Sequence, residues 1–250
     1  MTALAAVLAL LIGLTLGLLG GGGSILTVPV IAYSMNVDPK LAVVMSLPIV
    51  GGASLVGVVR NLRMGNIDLR LAIPFGLAAM VGAFGGARAA RFLSGEMQLL
   101  LLAVVMLGAS VSMFRNAKLP EPAAGERPHL GAGVLVIGAL TGVLTGLVGV
   151  GGGFLLVPAF VLLAGLPMRS AVGTSLFVIV LNTTAGYAGY HGVVSVPWNL
   201  VLWFAGFTAA GLLGGTYLVQ HISQSLLKRA FAVLLVVVAG YIIYKNGGSL

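Results

Sequence analysis

The sequence contains no cysteine and only five acidic side chains, Asp38, Asp68, Glu96, Glu121 and Glu126, in 250 residues. Without Cys there is no disulfide, no thiolate nucleophile and no Cys-ligated metal, and the compartment stays open. The five carboxylates all fall in loops or at the ends of apolar segments. A sodium or proton antiporter of the usual kind keeps an Asp or Glu inside the membrane for its coupling ion, so the scarcity argues against a cation substrate. Enzyme signatures are missing as well. There is no H-E-x-x-H motif and no two-Asp membrane protease arrangement, and Gly22-Gly23-Ser24-Ile25 lacks the trailing Gly of an intramembrane serine protease. The glycine runs do not fit G-x-G-x-x-G and have no strand-helix setting for a nucleotide. The expectation is a protein that is not an enzyme and carries no cofactor and no metal.

What the chain has in excess is apolar surface and glycine. Hydrophobic residues make up 59%, charged residues 7%, and the mean hydropathy is +1.14, which describes an all-α polytopic membrane protein whose first partner is the lipid bilayer. Gly stands at 38 residues, well above the ~7% average, as expected where membrane helices pack backbone to backbone. A net charge of +8 would suit nucleic acid, but the thirteen Lys and Arg are spread through short inter-helix loops, where the positive-inside effect puts them. No nucleic-acid partner is expected. The first 19 residues lack a basic leader and an obvious cleavage site, and read as a membrane segment of the mature protein.

Apolar segments run at about 2–19 and 24–35, then 41–59, 71–90 and 97–114; the order begins again at 131–148 and 153–166, then 170–190, 198–219 and 228–244. Between the two sets lies a polar, proline-rich linker. The organisation read from this is a first transmembrane repeat over 1–114, a linker over 115–130 and a second repeat over 131–250. One offset of 129 residues superposes them: Gly17, Gly20, Gly22, Gly23 and Pro29 fall on Gly146, Gly149, Gly151, Gly152 and Pro158. In the same register Ala42, Val43, Ser46 and Leu47 fall on Ala171, Val172, Ser175 and Leu176, and Gly57, Phe75, Gly82 and Gly86 on Gly186, Phe204, Gly211 and Gly215.

Loop charge argues for inverted topology. The loop at 60–70 carries Arg60, Arg63 and Arg70, whereas its counterpart at 189–199 carries no Lys, Arg, Asp or Glu, so corresponding loops face opposite sides. Placing the first in the cytoplasm puts the linker and Lys228-Arg229 there too, while Arg88, Arg91 and Lys245 fall opposite. A parallel duplication is the alternative. The segment 24–35 would be roughly 18 Å long at 1.5 Å per residue, shorter than the ~30 Å hydrocarbon core. Each repeat is therefore expected to hold a glycine-broken or re-entrant first element plus three transmembrane helices, which hydropathy would count as eight to ten elements in total.

The two breaks are the candidate site. Consecutive glycines, each costing about 1 kcal/mol in a helix interior, let the backbone turn several N–H groups to one point, and the helices that follow aim their dipoles at it. Such a place suits an anion, and paired breaks in corresponding positions point to a transport site. The candidate substrate-binding residues are Gly20, Gly22, Gly23, Ser24 and Ser46 from the first half, with Gly149, Gly151, Gly152, Gly153, Thr174, Ser175 and Asn182 from the second. Asn182 stands out because an Asn within an apolar helix cannot satisfy its amide locally. Arg60 and Arg63 are vestibule candidates, against the plainer reading that they set topology, and so is His191, against that of a lone interfacial histidine. For Gly82, Gly85 and Gly86 with Gly211, Gly214 and Gly215, close helix packing is the favoured reading, either within one chain or across a homodimer.

The doubled pattern, Gly20–Pro29 and Gly149–Pro158 followed by Ala42-Val43 with Ser46-Leu47 and Ala171-Val172 with Ser175-Leu176, resembles the sulfite exporter TauE/SafE family of bacterial inner-membrane proteins. The likeness covers nearly the whole chain outside the linker; Val150, interrupting the second glycine run, and Pro48, where the second repeat has Phe177, are departures. It implies a multi-pass protein of the bacterial cell inner membrane that exports a small anionic substrate, sulfite, sulfoacetate or a related sulfonate. An anion channel and a non-transporting assembly partner are the alternatives.

Overall fold

The computed structural model describes residues 3–116, 132–149, 153–162, 164–192 and 194–246. Ten α-helices account for most of them: α1 (Ala3–Leu19), α2 (Gly22–Pro29), α3 (Pro39–Arg63), α4 (Leu69–Ala89), α5 (Gly95–Asn116), α6 (Ala132–Val148), α7 (Gly153–Leu162), α8 (Met168–Gly189), α9 (Trp198–Leu218) and α10 (Gln224–Asn246). Six of these, α3, α4, α5, α8, α9 and α10, are long and apolar enough to cross a bilayer. Their outward faces carry large apolar side chains such as Val81, Val104, Leu202 and Val237, a coat that suits lipid rather than water. The protein is thus an all-α, multi-pass membrane protein.

The offset of 129 residues holds at the level of elements. It carries the bounds of α1 onto α6 and of α4 onto α9, and the single 3₁₀ turn at Ala90–Phe92 onto the one at Val219–His221. It also carries individual contacts. The Lys40 ammonium donates to the carbonyls of Arg91 and Leu93 at 3.2 and 3.3 Å, and at the equivalent place the Arg169 guanidinium donates to the Gln220 carbonyl at 2.8 Å. In both halves a cation closes the open carbonyl end of a spanning helix, where the dipole favours it.

The scarce carboxylates have structural work at the opposite helix ends. Asp38 accepts from the amides of Lys40 and Leu41 at 2.9 and 3.2 Å and so caps α3. Asp68 accepts from Leu71 N at 3.1 Å and caps α4, and Glu96 lies in the first turn of α5. Each sits where a negative charge stabilises orphan N–H groups.

α3 and α8 form the centre, with 67% of each spanning window buried against 39–44% in the other four. They cross antiparallel: Leu47 lies beside Gly186 and Leu176 beside Gly57, two contacts that exchange into one another under the repeat. Around them the halves interlock. α1 packs on α9 of the second half, and α6 on α4 of the first. Both contacts are backbone to backbone. A methyl group at Gly13 or Gly17 would overlap the Thr208 or Leu212 carbonyl, one at Gly211 or Gly215 the Leu10 or Leu14 carbonyl, and the same pattern recurs between α4 and α6. The packing reading of Gly82, Gly86, Gly211 and Gly215 is therefore correct, and Gly17 and Gly146 join that set as parts of helices rather than of the breaks. Gly85 faces open space. Gly82→Ala is expected to lower unfolding stability in detergent by about 1–3 kcal/mol through overpacking, while Gly85→Ala, with nothing to strike, should leave it unchanged or raise it by up to about 1 kcal/mol through helix propensity; equal losses would refute the assignment.

The first element of the chain is a helical hairpin. Gly23 has no room for a side chain because a Cβ there would overlap the Ile12 carbonyl and the Leu16 backbone, so α2 doubles back along α1. After Pro29 the helix widens to a π turn over Val30–Ser34, and Asn36 at φ 54° turns the chain into α3.

Candidate functional site

Gly20 and Gly149 terminate α1 and α6 in the left-handed region, at φ 63° and 72°, a conformation that glycine adopts without a Cβ penalty. Each break is seated against the central helix of the opposite half. Gly20 lies on Ser175 and Val172 of α8, and Gly149 on Val43 and Ser46 of α3. The hydroxyls there are engaged: Ser175 Oγ donates to Val172 O at 2.8 Å, and Ser46 Oγ reaches both Val43 O, at 2.8 Å, and Gly149 O. A side-chain hydroxyl thus satisfies one of the open carbonyls at the end of α6.

Beyond these turns the two returning helices meet. α2 begins at Gly22 after Gly21, α7 begins at Gly153, and Gly21 and Gly153 lie so close that a Cβ on either would overlap the other's backbone. Ser24, fully buried, holds the start of α2 by donating from Oγ to Gly21 O at 2.6 Å. The first turn of a helix leaves N–H groups without intrahelical partners, and each terminus carries roughly half a positive charge. Two such termini in contact in the interior repel, and a small anion within reach of the N–H groups of both would offset that repulsion. No described carboxylate competes, since Asp38, Asp68 and Glu96 all serve helix starts. Among the described residues no cluster of His, Asp and Glu could hold a metal ion.

Asn182 belongs to the same surface of α8. Ser175 touches Gly20, Ile179 touches Gly153 and Gly186 touches Leu47; Asn182 falls on this stripe, three residues past Ile179 or about 4.5 Å along the helix. It is 1% exposed, and neither its amide nitrogen nor its carbonyl oxygen has a hydrogen-bond partner. Buried polar groups in that condition are uncommon and call for a reason. Thr27 of α2 and Ser54 of α3, both fully buried, also have hydroxyls without partners. On the neighbouring side of α3 and α8 is a cavity of about 270 Å³ lined by Pro48, Gly51, Gly52, Thr183, Thr184 and Tyr187 among others.

Not every expected residue gathers here. Thr174 faces away from the breaks, accepting the Asp68 amide at 3.1 Å and so tying the α3–α4 loop to α8. Gly23 serves the α1–α2 contact. Gly22 opens α2 next to Gly21, whereas Gly151 and Gly152 lie outside the described residues. Arg60 and Arg63 stand at the end of α3, and His191 follows the end of α8; because those helices are antiparallel, the three do not share one vestibule. Sequence reasoning missed Gln98 and Tyr190. Gln98 Nε2 donates to Tyr190 Oη at 2.8 Å and to Leu147 O at 2.7 Å, and Tyr190 Oη donates to Gly146 O at 3.0 Å. Together they hold the end of α6 just before the second break. Their counterparts under the repeat, Leu227 in the second half and Asn61 in the first, cannot form this pair, so the signal was a departure from the repeat.

The sequence profile of the family described as "Sulfite exporter TauE/SafE" matches residues 5–242. A probable membrane transporter protein of Xylella fastidiosa is 39% identical over 118 residues, covering 44% of this chain and 43% of that one. One of Bacillus subtilis is 38% identical over 79 residues, 29% of each chain. One of Methanocaldococcus jannaschii is 29% identical over 108 residues, covering 41% and 40%. The matches span less than half the length of these curated relatives. No solved structure matches.

Proposed function

Since the chain belongs to the sulfite exporter TauE/SafE family, we propose that it is a secondary transporter that exports a small sulfur-containing anion, sulfite, sulfoacetate or a related sulfonate, across the inner membrane of a bacterial cell. The observation that carries this reading is the contact between the N-terminal starts of α2 and α7 at Gly21 and Gly153, with the described carboxylates Asp38, Asp68 and Glu96 all engaged at other helix starts. The amides at these two starts replace the hydration shell of the oxyanion, with Ser24, Ser46, Ser175 and Asn182 around them. The antiparallel crossing of α3 and α8 supports two halves of inverted topology, which rock about the fixed site to expose it alternately to either side.

A binding and flux screen tests this. Sulfite, sulfate, sulfoacetate, taurine and small carboxylates are offered to the purified protein at two pH values, and uptake into proteoliposomes is followed for each. The expected result is a thermal shift and saturable flux with sulfur oxyanions. Single-channel currents without saturation would make the protein a channel, and absence of any shift or flux with every anion would leave it a non-transporting partner.

A further inference from the structure

A groove of about 650 Å³ runs along the outside of the protein between the ends of α3 and α9. Its walls are Val56, Val59 and Leu213, each more than a third exposed on the lipid-facing surface. Arg60 and Arg63 stand at one end, in the last turn of α3. The Arg60 Nε is shielded from solvent and has no hydrogen-bond partner, and Asp68, the carboxylate nearest in sequence, is turned away to cap α4. Gln220 closes the same end, its amide 3.7 Å from Met64 Sδ. We propose that this groove binds an anionic membrane phospholipid, its phosphate on Arg60 and Arg63 and an acyl chain over Val56, Val59 and Leu213.

The chemistry favours a lipid over a free anion. Guanidinium groups hold phosphate oxygens through paired N–H donors, and a buried Nε lacking an acceptor is relieved by one. The apolar walls have nothing to offer a hydrated inorganic ion, but they suit a chain still attached to its headgroup, and basic pockets between helices at a membrane face are where anionic headgroups dock. The groove is also particular to this half. The repeat places Gly189 and Gly192 where Arg60 and Arg63 stand, and there the helices close up, with a Cβ at Gly189 only 2.6 Å from Ala87 Cβ. The close packing at the equivalent place leaves the arginine-lined groove a feature of the first half.

Native mass spectrometry of the full chain, released from detergent with phosphatidylglycerol or phosphatidylcholine added, reads this out without reference to transport. The wild type is expected to retain phosphatidylglycerol at least tenfold over phosphatidylcholine and to gain thermal stability only from the former. R60Q/R63Q should lose both the preference and the gain, R60K/R63K should fall between, and R88Q, outside the groove, should behave as wild type. No preference in the wild type would overturn the proposal, whatever the folding of the variants. So would an unchanged preference in R60Q/R63Q. An equal thermal gain from inorganic phosphate or sulfite, lost in the same variant, would overturn it in favour of a vestibule for soluble anions.

Discussion

Gly21→Ala is expected to abolish anion flux in proteoliposomes while the protein still inserts and folds. The added methyl group has no free direction to take, because it would overlap Cα, C and O of Gly153 at once. These are backbone atoms at the start of α7, so no rotamer change relieves the clash and α2 and α7 must move apart. Overpacking of this kind costs about 1–3 kcal/mol, which six long, well-packed spanning helices withstand. Separating the termini is a different matter for function. The attraction of an anion to two helix starts depends on both lying within hydrogen-bond reach, and a misplacement of about 1 Å can cost roughly a hundredfold in rate. Gly85→Ala, with nothing within 4 Å, controls for a methyl group added elsewhere. Flux in Gly21→Ala within a few fold of wild type would sink the idea that the two helix starts together form the site; loss of insertion would instead show that their contact is needed for the fold.

The elements were legible in the sequence because their causes are local. Apolar runs of membrane length, bounded by Asp38 and Asp68 as caps and by cations at their ends, are found within two residues of their expected bounds for α4, α5 and α9. The 129-residue register was legible for a different reason: glycines whose Cβ would strike a neighbouring backbone, such as Gly82 and Gly211, cannot drift in either half. The breaks were legible as irregularities, since a packing interface does not need four glycines in a row. What could not be read was which face of each helix the fold would use. Thr174 and Ser175 are adjacent in sequence, yet a step of about 100° around the helix sends one to the α3–α4 loop and the other to Gly20. Gly23 likewise belongs to a glycine run but packs on α1. Nor could the sequence say that α1 crosses to α9 and α6 to α4, since that pairing arises only when the halves interlock.

Asn182→Leu should make the protein more stable and stop it transporting. Leu keeps the branching of Asn at Cγ, so the shape of the site is nearly preserved, while the amide that has no partner on either atom is removed. Leaving a buried polar group unsatisfied costs about 1–3 kcal/mol; the substitution returns that amount to the unliganded protein, seen as a raised melting temperature in detergent. A group retained at such a cost marks a place where stability has been given up for function. In the site proposed above the amide N–H would donate to the anion, and a hydrogen bond to a charged partner contributes about 1.5–3 kcal/mol, so its loss is expected to weaken substrate binding by roughly ten- to 150-fold. The two measurements move in opposite directions, which an ordinary core position does not do. A purely structural Asn182 would give lower stability with flux unchanged, and that outcome would remove it from the site. Asn182→Asp separates charge from shape: a carboxylate on the stripe that faces Gly20 and Gly153 repels the anion and occupies the helix starts itself, so flux should fall at least as far as in the Leu variant.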